Sequence, residues 1–364
     1  MEELIWGQTM SNFTGSVAER PLEEQVLRIM VPVSCRSPRI ALSNRFGDSA
    51  LIVRRLTISQ SEDACVDVTF GGAAQCSIPV GQRLVSDAVE LELSPGWLDI
   101  RAIPESGQTG KTLGSGLDAS TFSVPAAYGE NQFYWGIEGV FACVEKPVKP
   151  VCFFGDSLTN QGRYSGPASR MLLESGDGVA TFNCGISGNR LLHDAAGDSL
   201  WTPSFGAAAL SRFMGDVTFG GTVNPVAVFA LIGVNDLYQP GAGAPEWELP
   251  RPGEIVSGLK RLRSDAEKMG TKLVLGTLSP FKGSVGRCLP AWSEAKEALR
   301  TEANDFIRKL PKGEWVDVDV LVRDSADPRA LDPVADCGDH LHFSIEGGRR
   351  VGDEVARALL SALA

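Results

Sequence analysis

The chain has 364 residues, 43% hydrophobic and 22% charged, with a net charge of −11. That length predicts two domains with a sizeable core and excludes a fibrous or low-complexity chain. The acidic balance argues against a nucleic-acid partner, because it repels phosphate; it is read mainly as solubility. Met1-Glu2-Glu3-Leu4 lacks the basic start and apolar stretch of a signal peptide, and the longest apolar run, residues 225–232, is too short to span a bilayer. The eight cysteines contain no C-x-x-C pair and are read as reduced core residues of a cytoplasmic protein. No metal cluster is visible, and with three histidines in all a His-based zinc site would compete with the chemistry argued below.

Residues 1–146 read as all-β. Alternating or β-branched runs recur at 25–33, 39–43, 51–59, 66–70, 75–80, 89–93, 97–103 and 133–144, separated by turn signals such as Asn44-Arg45-Phe46-Gly47-Asp48 and Ser94-Pro95-Gly96. Short strands with that punctuation predict a β-sandwich. Residues 105–129, rich in Gly, Ser and Thr, read as a long loop of the kind that reaches over a neighbouring site. Trp6, Trp97, Phe133, Tyr134 and Trp135 offer a sugar-stacking platform, although core packing accounts better for most of them. Lys146-Pro147-Val148-Lys149-Pro150 is a stiff, polar linker, so the expected domains are 1–146 and 147–364.

Beyond the linker, strands and helices alternate. Strands are predicted at 150–154, 180–183, 226–232, 272–278 and 315–321, and helices at 164–174, 205–214, 253–269, 292–310 and 345–360. Ile255, Leu259, Leu262, Ala266 and Met269 recur at helical spacing, and Gly270 follows as a stop. Five strands with helical crossovers predict a parallel sheet in a three-layer α/β/α domain, with ligands at the carboxyl ends of the strands.

The unusual residues collect after those strands. Gly155-Asp156-Ser157-Leu158 follows the first, Asn183-Cys184-Gly185-Ile186-Ser187-Gly188-Asn189-Arg190 the second, and Gly233-Val234-Asn235-Asp236 the third, while Asp339-His340-Leu341-His342 follows the fifth after a long loop. A serine at a strand end is a nucleophile only if a base, an orienting carboxylate and an oxyanion site accompany it. His342 stands three residues after Asp339, so one turn can hold both with the imidazole facing Ser157; His340 follows Asp339 directly and would point elsewhere. His193 is read either as a pocket residue or as an exposed loop histidine. The backbone N–H groups of Ser157 and Gly188 and the side chain of Asn235 are candidate oxyanion donors, each with an ordinary turn role as its plain alternative.

The four clusters resemble blocks I, II, III and V of the SGNH (GDSL) hydrolase superfamily, over about residues 148–364. Arg39-Ile40-Ala41-Leu42-Ser43-Asn44-Arg45-Phe46-Gly47 and Pro79-Val80-Gly81-Gln82-Arg83-Leu84-Val85-Ser86-Asp87 are similar to the β-rich module that precedes the esterase domain in a two-domain bacterial subgroup. The resemblance implies a flavodoxin-like α/β/α domain after a jelly-roll-like sandwich, and ester hydrolysis through a serine acyl-enzyme without cofactor or metal. It assigns Ser157 as nucleophile, His342 as base, Asp339 as orienter, and Ser157, Gly188 and Asn235 as the oxyanion hole. Asp156 and Asp236 are expected to hold loops, and Asp156, Asn189, Tyr238 and Trp247 are substrate-pocket candidates.

Three departures stand out. Phe343 occupies the position where proline often follows the block V histidine, which would alter the pocket wall. Asn160-Gln161-Gly162 replaces a shorter turn to glycine, and relatives with the β-rich module are often exported. There is no G-x-S-x-G, so the α/β-hydrolase nucleophile elbow does not apply. The loops 237–252 and 281–292 should shape the pocket, and they suggest a short acyl group, such as acetyl on a carbohydrate. A lysophospholipid or thioester substrate, or a non-catalytic carbohydrate-binding protein, are the alternatives. The expected partner is thus a small-molecule or oligosaccharide ester.

Overall fold

Alternation of buried and exposed side chains builds the first part of the chain. The computed structural model describes residues 1–363 except 15–18, 62–64, 117–121, 124–126 and 129–130. It divides the chain into two units, residues 1–150 with 173–182, and residues 151–172 with 183–364. The longer strands of the first unit are β1 (Glu2–Gln8), β2 (Gln25–Val31), β3 (Cys35–Ser43), β4 (Leu51–Ser59), β5 (Gly96–Pro104), β6 (Thr112–Gly116), β7 (Asn131–Trp135) and β8 (Ile137–Val144). In β2, Leu27, Ile29 and Val31 are buried while Val26, Arg28 and Met30 are not, as a sheet with one face on a core requires. Strand β5 lies antiparallel between β2 and β4, and β8 lies antiparallel between β1 and β3. Their inner faces supply Leu27, Leu56, Ile58, Leu98, Ile100, Ile40, Leu42 and Ile137 to the sandwich core.

Two stretches with sequence resemblance lie against each other. Strand β3 pairs with Arg83–Val85, Ser86 Oγ accepts from Ile40 N–H at 2.9 Å, and Asn44 N–H donates to Gln82 O at 2.9 Å. Buried backbone groups thus find partners across the two segments.

The α/β part of the chain, of which residues 149–150 and 173–182 are counted in the first unit, holds β9 (Lys149–Gly155), α1 (Ser157–Asn160), α2 (Ser165–Glu174), β10 (Val179–Gly185), α3 (Ala209–Val217), β11 (Ala227–Leu231), α4 (Val234–Tyr238), α5 (Glu254–Lys268), β12 (Lys272–Gly276), α6 (Glu294–Arg308), β13 (Trp315–Val316), α7 (Val318–Val322) and α8 (Ile345–Leu363). Strands β9, β11, β12 and β13 pair in that order, all parallel. The carboxyl end of β10 meets that of β9, where Ile186 N–H donates to Gly155 O at 3.0 Å. Helix α8 packs on β11, β12 and β13 and against α7, whereas α5 packs on α3, α6 and β12. This is the three-layer α/β/α arrangement expected. Both residues pairing β12 to β13, Leu275 and Gly276, lie at the carboxyl end of β12, so the sheet is narrowest at that edge.

Several expectations change. The strand predicted at 315–321 stops at Val316, because the Asp317 carboxylate accepts from Val320 N–H and starts α7 instead. The run 133–144 is two strands broken at Gly136, whose φ of 70° suits glycine. The stretch read as a loop over 105–129 contains β6, paired with β7, and short strands at Phe122–Ser123 and Ala127–Tyr128; the rest of its tip lies outside the described residues. Strand β1 was not expected. Of the cysteines, Cys35, Cys76, Cys152 and Cys184 are buried, but Cys65, Cys288 and Cys337 are exposed, so the core assignment fails for those three.

Glycine marks where elements must touch. A Cβ on Gly348 of α8 would lie 2.3 Å from Arg163 O, whereas one on the exposed Gly215 of α3 would meet nothing within 4 Å. Gly348→Ala should therefore lower stability by about 1–3 kcal/mol through overpacking. Gly215→Ala should raise it by about 0.5–1 kcal/mol through helix propensity. Urea unfolding midpoints of the two variants check both signs, and equal shifts would contradict the packing argument.

Candidate active site

The first turn forms because the chain has no room to continue. A Cβ on Gly155 would sit 2.2 Å from Leu231 O, so only glycine closes the end of β9 against β11. Asp156 then caps α1, its Oδ1 accepting from Leu158 N–H at 3.0 Å. Ser157 is the first helical residue and is 7% exposed.

The turn before α8 supplies the imidazole. Asp339 Oδ1 accepts from the backbone N–H groups of Leu341 at 2.9 Å and His342 at 2.8 Å, and Oδ2 lies 2.5 Å from His342 Nδ1. On the other side of the ring, Nε2 lies 2.8 Å from Ser157 Oγ. Burial disfavours the Asp339 charge, but its bonds to the His342 ring and to the two backbone N–H groups outweigh that and hold its carboxyl well below the usual carboxylate range. A carboxylate, an imidazole and a hydroxyl in line can pass the hydroxyl proton to the ring and stabilise the resulting charge. His340 has a φ of 63° and turns away, its Nδ1 2.7 Å from Asp336 Oδ2. Phe343 is 1% exposed and bridges to Asp336, so it is a core residue and not a pocket wall.

The turns after β10 and β11 interlock. Gly188 has a φ of 77°, and a Cβ there would lie 2.2 Å from the Phe205 ring. Asn235 is 3% exposed, and its Nδ2 donates to Asn189 O at 3.0 Å, which commits one of its two amide hydrogens. Asp236 accepts from Leu191 N–H at 2.6 Å and Leu192 N–H at 2.9 Å, joining the two turns again.

Two pocket candidates are corrected by burial. Asn189 is fully buried: its amide donates to Phe205 O and Ala207 O, both at 2.7 Å, and its Oδ1 accepts from Arg212 Nε at 2.9 Å. Asp156 is also fully buried at its helix cap. Both hold turns in place and present nothing to a substrate. Tyr238 is partly buried with its hydroxyl on Val285 O at 2.8 Å; burial, followed by the Asp339 charge, pushes its phenol up. Trp247 is 80% exposed, and its neighbour Glu248 is held by the buried Arg190 at 2.5 Å. His193 is half-buried. Sequence reasoning passed over Arg190 and Arg212. Their signal was a charged residue inside an otherwise buried stretch, as Arg212 is beside Phe213 and four residues before Asp216.

Among the described residues, Asp336, Cys337 and Asp339 bring ligand-type atoms within 4.8 Å of one another. Both carboxylates are already bonded to histidine rings and backbone N–H groups, so the group carries no metal assignment. Among the described residues no helix is long and apolar enough to cross a membrane.

No curated protein matches the chain. Among solved structures, an acetylxylan esterase from Geobacillus stearothermophilus is similar at 18% identity, over 59% of this chain and 94% of that one, with a TM-score of 0.42. A GDSL-like lipase from Bacteroides thetaiotaomicron is similar at 19% identity, over 60% of this chain and 93% of that one, with a TM-score of 0.41. Such loose overlap carries no substrate. The family match is more direct. Residues 153–350, more than half of the chain, match the GDSL-like lipase/acylhydrolase family, and the match opens on the strand that leads into Ser157. The chain therefore belongs to the GDSL-like lipase/acylhydrolase family and is an ester hydrolase.

Proposed function

We propose that the chain hydrolyses esters through an acyl-enzyme on Ser157. The observation that carries this reading is the continuous contact Asp339–His342–Ser157, at 2.5 and 2.8 Å. His342 Nε2 accepts the Ser157 proton as Oγ attacks the ester carbonyl. The oxyanion is held by the backbone N–H groups of Ser157 and Gly188 and by the free amide hydrogen of Asn235. His342 returns the proton to the leaving alcohol, and water repeats the sequence to release the acid. The acyl group is short, in this reading acetyl on a carbohydrate. The carbohydrate part of this reading is supported by Trp247, whose exposed side chain, next in sequence to the Glu248 held by Arg190, offers a face for a sugar.

The pH response of the fold follows from two fully buried carboxyls. Burial pushes Asp156 up to about 7 and Asp236 up to about 6. Below those values the folded chain binds protons that the unfolded chain, with ordinary aspartates, releases above about 4. Stability therefore falls as pH rises from about 4 through about 7. Asp339 acts in the opposite sense, and its contribution is lost only at more acid pH.

A variant series with p-nitrophenyl acetate tests the proposal. Ser157→Ala and His342→Ala should each lower kcat by about 10³-fold or more. Asn235→Ala should lower it by on the order of 10²–10³, while His340→Ala keeps most activity. A His340→Ala variant as inactive as His342→Ala would reassign the base. On an acyl series, kcat/KM should fall from acetate to octanoate; a rise with chain length would favour a lipid acyl group. The melting temperature should drop between pH 5 and pH 7.5, and Asp156→Asn, which keeps the cap acceptor, should flatten that drop. A wild-type melting temperature that rises over the same interval would contradict the burial argument.

A further inference from the structure

We propose that Arg212 is the positioning residue of the oxyanion site, an inference that rests on the esterase reading of Ser157. Arg212 is 6% exposed, and its guanidinium lies over the Phe154 ring, 4.2 Å from its centroid. Nη2 donates to Gly155 O at 2.7 Å, Nη1 to Cys184 O at 2.8 Å, and Nε to Asn189 Oδ1 at 2.9 Å. One rigid side chain thus grips the end of β9, the end of β10 and the turn that follows β10.

Two of these grips lead to the three proposed donors, the one on Gly155 to Ser157 and the one on Asn189 to Gly188 and Asn235. Gly155 stands two residues before Ser157, so holding its carbonyl fixes where the Ser157 N–H begins. The Asn189 amide that meets Arg212 also holds Phe205 O and Ala207 O, and the Phe205 ring closes against Gly188. The Asn189 backbone carbonyl takes one amide hydrogen of Asn235 and so turns the other. Ser157, Gly188 and Asn235 come from three separate turns, and Arg212 or its partner Asn189 reaches all three.

The action is geometric. Asp216, 2.8 Å from Nη1 and equally buried, balances the guanidinium charge. What remains is the planar fork, whose N–H groups leave in fixed directions; a lysine has the charge but not the fork. A misplacement of about 1 Å in such a site costs on the order of 10²-fold in rate.

The test uses Arg212→Lys and, to avoid an unpaired buried carboxylate, Arg212→Gln combined with Asp216→Asn. Circular dichroism establishes that each is folded, and kcat, KM and the pH profile are measured on p-nitrophenyl acetate below the melting temperature. The expected result is kcat lowered on the order of 10–100-fold and KM within about a factor of two. The pH midpoint of kcat/KM should be unchanged, because Arg212 makes no contact with His342 or Asp339. Wild-type kcat in a folded variant, or a loss seen only in KM or in the pH midpoint, overturns the assignment and leaves the esterase reading intact. A wild-type protein without esterase turnover, or Ser157→Ala as active as wild type, overturns the esterase reading and this inference with it.

Discussion

Three chain reversals at the carboxyl edge of a parallel sheet must be buried together, and every polar backbone group in them must find a partner without water. That constraint governs the second unit. An unpaired buried N–H or carbonyl costs about 1–3 kcal/mol, and the chain meets the demand with side chains borrowed from one turn for the next. Asp236, after β11, takes the N–H groups of Leu191 and Leu192, after β10. Asn235 takes the carbonyl of Asn189, and Gln239 takes that of Gly188 at 2.6 Å. Arg212 closes the set on Gly155 and Cys184. The turns are therefore one structure, and a shift in any of them moves the others.

The same logic holds at the carboxyl end of β12. Arg300 and Asn304 of α6 both donate to Leu278 O, at 2.9 and 3.0 Å, and Asn304 also accepts from Leu278 N–H at 2.7 Å. Asp319 lies between Arg300 and Arg308, at 2.8 and 2.6 Å. A buried ion network of this kind is weak evidence for stability but strong evidence for a single geometry at the strand end. By contrast, the side chains of Asp339 and His342 are partly open to solvent. In the proposed reading, rigid buried turns hold the oxyanion donors while one accessible Asp–His pair moves the proton, the division of labour that acyl transfer needs.

Much of this was legible in the residues because the local chemistry is short-range. Gly155-Asp156-Ser157 after an apolar strand, and Asp339 three residues before His342, specify their turns almost unaided. Helix α5 was legible for the same reason, since Ile255, Leu259, Leu262 and Ala266 repeat at the helical period, whereas the short α4 and α7 carry no such repeat. What was not legible depends on partners distant in the chain. Strand β1 buries Ile5, Trp6, Gly7 and Gln8 in succession, so it carries no alternation. Strand β6 is Thr-Leu-Gly-Ser-Gly, a loop composition made a strand by β7. Asp156 and Asn189 look like pocket residues from their place in the motifs, and only burial shows that they face inward. Arg212 has no motif at all; apart from Asp216, its acceptors lie 57, 28 and 23 residues away.

The most direct measurement is mass spectrometry of the protein after reaction with a fluorophosphonate, which attacks only a serine activated by a neighbouring base. The account predicts one adduct, on the peptide containing Ser157, abolished in Ser157→Ala and strongly slowed in His342→Ala. An adduct at another serine, or none in the folded wild-type protein, would contradict it.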